Sequence, residues 1–288
     1  VSAATGVFPG LAYDAYARMP GLRSSYLRLF RRSALHARME YLHPRPPTRV
    51  LDLGSAIHCA VFEPEAFESR YVRGLGIDRR SNANKAKWAE FEAAHAGKGI
   101  LDWDDWATAG AVREAVWSQP WAAALLGGKG SNELSVGWRD PETMALCKAR
   151  VDRFAADFDG FPTVCDLKST RNAERGLFVR DIAAYDYHLQ AAFYLDGLDA
   201  NASRFRQWLW IVVEKHPPYG CALYMPDEEM LEAGRVQYRA AIERHLQCER
   251  ERTWPGYSER PQIISLPAWA RPRQIGGMDA TQAAEAGF

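Results

Sequence analysis

Apolar positions along the chain change period several times, and those changes divide it into helices and strands. Tyr26, Leu27, Phe30, Ala34, Ala37 and Tyr41 recur at helical spacing behind the caps Ser24 and Ser25, which predicts a helix after an irregular lead. Ile57, Ala60, Val61 and Phe62 predict a second helix starting at Gly54, with His58 on a separate face. A third is entered after Leu101 and carries Trp106, Ala109, Val112, Ala115 and Val116. The period then falls to two. Glu133–Trp138 alternates, Asp140-Pro141 turns the chain, and Met144–Asp152 returns it, which reads as a meander. It runs into a hairpin whose second arm is Val164, Cys165 and Leu167, across a loose loop holding Asp157, Asp159, Gly160 and Pro162.

Further on, a helix is expected from about Asp181 to Leu195, with Tyr187, Gln190, Ala191 and Tyr194 on one face. Trp208–Val213 reads as a buried strand, Cys221–Tyr224 as the next, and Asp227 to about Arg250 as a long helix. From Thr253 the chain is loop-rich, and after Pro272 its composition is that of a disordered tail. The expected architecture is one α/β domain. A central mixed sheet has the meander and hairpin in its middle and helices on both faces. Residues 1–48 form an N-terminal helical arm, 49–270 the core and 271–288 the tail.

Composition narrows the classes. Lys plus Arg and Asp plus Glu both number 36, so bulk charge gives no argument for a polyanionic partner, and any such surface is a local patch. No apolar run reaches the roughly 18 residues of a membrane span, and no signal peptide opens the sequence, so no membrane role is expected. Five scattered cysteines without a C-x-x-C pair argue for reduced thiols in the cytoplasm and against a structural zinc. Two basic stretches stand out: five arginines between Arg23 and Arg38, and Arg79, Arg80, Lys85 and Lys87 in a polar segment read as a mobile loop. Either could meet phosphates, and either could be a solvated face.

The candidate chemistry lies in the hairpin. Asp152 closes its first strand, and Asp166 and Lys168 flank Leu167 on the second. Residues i and i+2 of a strand share a face, so Asp166 and Lys168 project together while Leu167 enters the core. Paired strands would bring Asp152 near Asp166. Two carboxylates and an amine at one place suit a hard divalent cation and a polarised water. Alone, an Asp-x-Lys on a strand more often describes a solvated face with an incidental ion pair. Val50–Gly54 offers a competing signal, since it looks like the first motif of a methyltransferase; the absence of further glycines after Gly54 disfavours that reading.

In order along the chain stand His58, Glu133, Asp152, Asp166-Leu167-Lys168, then Gln190 and Tyr194. This set resembles the PD-(D/E)XK nuclease superfamily in its RecB-type branch. Longer phrases resemble the exodeoxyribonuclease VIII (RecE-type) nucleases of phages and prophages over roughly residues 20–270. These phrases are Leu53–His58 with Phe62–Glu65, Asp166–Thr170, Tyr187–Tyr194 and Trp254–Tyr257. Ser169 departs from the threonine common after the motif lysine.

The resemblance implies a restriction-endonuclease-like sheet and a metal-dependent DNA exonuclease that works from linear duplex ends, 5′ to 3′, to supply single strands for recombination. It implies Mg2+ or Mn2+ held by Asp152, Asp166, the carbonyl of Leu167 and His58, with Glu133 as an outer or second-metal ligand. Lys168 would activate the water. Gln190 and Tyr194 would orient the motif or touch DNA, and Arg79, Arg80 and Lys85 would contact DNA. An annealing protein and a homo-oligomer are the partners it implies. An endonuclease, a single-strand-specific nuclease or a catalytically idle DNA-binding relative are the alternatives.

Overall fold

In the computed structural model residues 5–43, 49–202 and 206–267 are described, with only the backbone given for 49–51. The chain divides into two units, Val1–Pro255 and Gly256–Phe288. The first carries every regular element among the described residues. The strands are β1 (Gly6–Phe8), β2 (Tyr71–Arg73), β3 (Gly99–Leu101), β4 (Gly130–Arg139), β5 (Leu146–Phe158), β6 (Phe161–Thr170), β7 (Gln207–Glu214) and β8 (Cys221–Tyr224). The helices are α1 (Tyr13–Arg18), α2 (Ser24–Leu27), α3 (Ala34–Leu42), α4 (Arg49–Phe62), α5 (Pro64–Arg70), α6 (Asn82–Ala94), α7 (Trp103–Ser118), α8 (Pro120–Gly127), α9 (Arg175–Tyr185), α10 (Tyr187–Asp199) and α11 (Glu228–Glu251). A 3-10 turn, Arg28–Arg31, joins α2 to α3. In the second unit the described residues, 256–267, form no helix or strand.

Six strands make a mixed sheet in the order β1-β4-β5-β6-β7-β8, in which only β6 and β7 are parallel. The α/β architecture with a meander and hairpin at its centre is the one expected. Each face carries its own core. One packs Trp208, Trp210, Val164, Leu134, Val136 and Trp138 under α2, α9, α10 and α11; the other packs Cys165, Leu167, Leu209, Ile211 and Val213 under α4, α7 and α8. Side chains cap several of the helices. Asp102 accepts from Asp105 N, Asp227 from Met230 N and Ser81 from Asn84 N, each such cap stabilising its helix by about 1 kcal/mol.

Several expectations are corrected. The hairpin loop is not loose but a two-residue turn, Asp159 (φ 53°) and Gly160 (φ 83°), with Asp157 accepting from Gly160 N. Two positive φ values match the twist of the flanking strands. Asp152 lies in mid-strand, because β5 runs on to Phe158. The segment holding Arg79, Arg80 and Lys85 is a loop only as far as Ser81, with Lys85 already in a helix. Ser81 starts α6 there, and Trp88 anchors that helix by donating from Nε1 to Ile77 O. α4 begins at Arg49 rather than at Gly54, and a helix through Val50–Gly54 leaves no strand for a methyltransferase motif. The expected helix from Ser24 to Tyr41 is broken, since Ser33 turns extended and caps α3 through His36 N. The irregular lead contains β1 and α1. Buried Lys148 fixes the end of α1, donating to the carbonyls of Tyr16, Ala17 and Met19. Pro44, Pro46 and Pro47 and the expected tail 271–288 lie outside the described residues.

Candidate active site

The β4–β5 ribbon changes sides at one point. Leu134, Val136, Ala149 and Val151 face the first core, yet two residues away the ribbon faces the other way. Asn132 Nδ2 donates to Phe62 O of α4, and Arg153 donates to Leu125 O and Gly128 O of the α8 region. Residues two apart in a strand normally share a face. The switch occurs at Glu133, whose φ is 52°; it and Asp152 are the residues that stand between the register pairs Asn132–Arg153 and Leu134–Val151. β5 also leaves β6 here, since their pairing stops at Arg153–Cys165. Asp152 and Asp166 occupy the next positions, where the two strands part.

Four elements converge on that parting. From β5, Asp152 Oδ2 accepts from Leu167 N at 3.0 Å and lies 3.3 Å from Nδ1 of His58, which α4 carries. From β6, buried Asp166 lies 2.6 Å through Oδ2 from Lys168 Nζ. From α10, Gln190 bridges the two: Nε2 donates to Asp166 Oδ1 at 2.8 Å and Oε1 accepts from Lys168 Nζ at 3.0 Å. The Lys168 ammonium also stands 4.4 Å over the ring of Tyr187. Leu167 turns the other way into the second core, as strand alternation requires.

Burial sets the electrostatics. Removal from water pushes the Asp152 carboxyl well above the ordinary carboxylate range; Asp166 and Glu133 push it further, while Lys168 and the Leu167 N–H oppose them. The same burial lowers the His58 imidazole, with Asp166 pulling the other way. His58 is therefore neutral near pH 7, the form in which a ring nitrogen ligates or accepts.

No group of three or more His, Cys, Asp or Glu side chains makes a ready metal cage among the described residues. The donors present still fit a hard divalent cation in kind: two carboxylates and an imidazole. Asp166 Oδ2 takes no hydrogen bond of regular geometry beyond its ion pair with Lys168, so a buried lone pair remains for a cation.

The other sequence candidates lie further out. Glu133 Oε2 is held by Arg150 Nε at 2.6 Å, an ion pair the sequence did not reveal. Arg150 is in turn fixed to Leu11 O and Ser135 Oγ. Tyr194 sits edge-on to Trp208, and burial raises its phenol. Arg79 covers Trp88 and pairs with Glu92 at 2.9 Å, Arg80 N is held by Asp78, and Lys85 lies in the first turn of α6. Tyr187 was placed on the Gln190 face by spacing, but nothing in the sequence marked it as the partner of Lys168.

A family described as "PDDEXK-like domain of unknown function (DUF3799)" matches residues 24–267. Among solved structures, a "putative exonuclease" from Eubacterium rectale is similar at 12% identity and a TM-score of 0.58, over 96% of this chain and 99% of that one. At that identity the likeness is one of fold. The protein SSO0001 aligns at 14% identity over 76% of this chain and 84% of its own, with a TM-score of 0.29, too low to carry an argument. No curated protein matches the sequence.

Proposed function

The chain belongs to the PDDEXK-like family, and on that premise we propose that it is a divalent-metal-dependent DNA nuclease. One observation carries the reading: the Asp166–Lys168–Gln190 triangle stands beside Asp152 where β5 and β6 part. Phosphodiester hydrolysis needs an activated water and neutralisation of charge growing on the phosphate. Mg2+ or Mn2+, held by Asp152 and Asp166 with His58 and the Leu167 carbonyl, would supply Lewis acidity for both needs. Lys168 is held in place by Asp166, Gln190 and Tyr187, so it orients the attacking water and stabilises the transition state without rearranging. Gln190 keeps that ammonium and the Asp166 carboxylate in register. Neutral His58 steers the Asp152 carboxylate from the α4 side. Glu133 joins as an outer ligand once Arg150 releases it.

The finer reading is an exonuclease that attacks linear duplex ends, 5′ to 3′, and exposes single strands for an annealing protein in phage-type recombination. It rests on the ordered motif set and on the RecE-type phrases. Arg79, Arg80 and Lys85 contact backbone phosphates, copies of the chain assemble on DNA, and the setting is the cytoplasm. The five cysteines, all free, suit that setting. Among the described residues no helix is long and apolar enough to cross a membrane.

End-labelled linear duplex and a closed circle, each with Mg2+, Mn2+ or EDTA, test the proposal. Metal-dependent shortening of the linear form from its ends with the circle intact is expected. Lys168→Ala should lose at least about 100-fold in rate, the scale of removing one preorganised charge donor. Efficient cutting of the circle would replace the exonuclease reading with an endonuclease one. A folded Lys168→Ala as active as the parent would end the assignment.

A further inference from the structure

Four aromatic rings run outward from the core beside Lys168. Tyr224 stacks on Phe178 at 5.5 Å and 20°, Phe178 lies 6.2 Å from Tyr187 at 33°, and Tyr187 stacks with Tyr185 at 5.6 Å and 28°. Phe178 is buried and Tyr187 half-buried, but Tyr185 is 53% exposed. The column therefore ends in an open ring, one ring removed from the ammonium of the proposed site.

The outer pair is not a by-product of helical geometry. Residues i and i+2 of a continuous helix point about 200° apart and do not meet. Here Asp186 adopts φ 55° and ψ 40°, ending α9 and starting α10, and this left-handed joint sets the two flanking rings together. A non-glycine residue in that conformation costs about 1–2 kcal/mol. Arg31 holds the joint from outside, donating to Asp186 Oδ1 at 3.0 Å and to Ala183 O at 2.9 Å.

A flat, exposed tyrosine face backed by further rings accepts a nucleobase of any sequence. Bases inside a duplex present no free π-face, so the ligand must be an unpaired nucleotide. We propose that Tyr185 stacks on an unpaired base of the strand being cut. It is thus a positioning residue, and the substrate class is a single-stranded or frayed DNA end. The inference rests on the nuclease reading for its substrate, and its test separates the two.

The full chain and its Tyr185→Ala, Tyr185→Phe and Tyr185→Trp variants are titrated in EDTA against a fluorescein-labelled single strand. An abasic tetrahydrofuran residue is moved through that strand one position at a time. Tyr185→Ala should weaken binding about 5- to 150-fold, the range for losing one base–aromatic stack. Phe and Trp should bind as the parent does. At one abasic position the parent should lose the same factor and Tyr185→Ala should lose nothing more, because the two changes remove one contact. Absence of any such coupled position, or no single-strand binding by the parent, overturns the proposal. If Tyr185→Ala folds poorly, Tyr185→Leu, which still packs on Tyr187 but offers no π-face, is carried through the same abasic series and should show the same coupling. Parallel digestions with Mg2+ and Mn2+ read the nuclease assignment separately. Coupling without cleavage keeps the stack and discards the nuclease, and cleavage without coupling does the reverse.

Discussion

Asp152 is enclosed by groups that disagree about its charge. Leu167 N–H and Lys168 favour the carboxylate, while burial and the neighbouring Asp166 and Glu133 favour the acid and prevail. The native state therefore holds the Asp152 proton more tightly than the unfolded chain does. That preference stabilises the fold below the ordinary carboxylate value of 3.8 and is lost as pH rises through the raised native value. Asp152→Asn removes the titration but can still accept from Leu167 N. In EDTA the variant should gain stability over the parent as pH climbs through this window, by up to about 1.4 kcal/mol per pH unit, and then level off. Denaturant melts at stepped pH measure it; a difference that stays flat from about pH 4 to pH 8 would show that Asp152 is not squeezed this way. At this scale much was legible. Strand alternation and helix spacing are local rules, so they located Asp166, Lys168 and Gln190 on faces that do meet. Arg150 and Tyr185 were not legible, because one partner of each depends on a left-handed residue, Glu133 or Asp186, that no local rule announces.

Elements were legible where their apolar period is sustained and lost where one residue interrupts it. β7, buried along nearly its whole length, and α7 and α11, with Asp caps, fall almost where the pattern put them. β1 was missed because three residues pairing with β4 show no period. The expected helix from Asp181 to Leu195 runs through Asp186, and periodicity is blind to a single left-handed residue. Glu133 shows the same device inside a strand. Its φ of 52° turns the β4–β5 ribbon over, so that residues before and after the switch serve opposite cores. Strand propensity alone would favour Val at this position. The backbone argues the contrary: Glu133→Val should destabilise the protein by about 1–2 kcal/mol relative to Glu133→Asn, which tolerates left-handed φ. Both variants lose the Arg150 ion pair, so their difference isolates the backbone. Equal stability of the two in urea melts would mean that the turn-over does not depend on this residue's conformation.

Across the whole molecule, the candidate ligands come from positions 58, 152 and 166, on three elements that only the complete sheet brings together. The unfolded chain offers no such cluster, so a cation bound here binds the native state alone and its binding energy adds to folding. Without a cation, Asp152 can ionise beside Asp166 at the parting of β5 and β6 only against burial and their mutual repulsion, so as it loses its proton the site opposes the fold that builds it. Mn2+ should relieve that opposition. At about 100 times its dissociation constant a single-site ligand stabilises by about 2.7 kcal/mol, which for a chain of this size raises the melting temperature by several degrees. Asp152→Asn should melt higher than the parent in EDTA, and Asp152→Asn/Asp166→Asn should gain nothing from Mn2+. The first result reads the strain at Asp152 and the second the loss of the ligands, and an unrelated surface site would not produce both. An equal Mn2+ shift in parent and double variant would place the cation elsewhere and leave the carboxylates as a structural pair; no shift in either would remove the metal from the proposed chemistry.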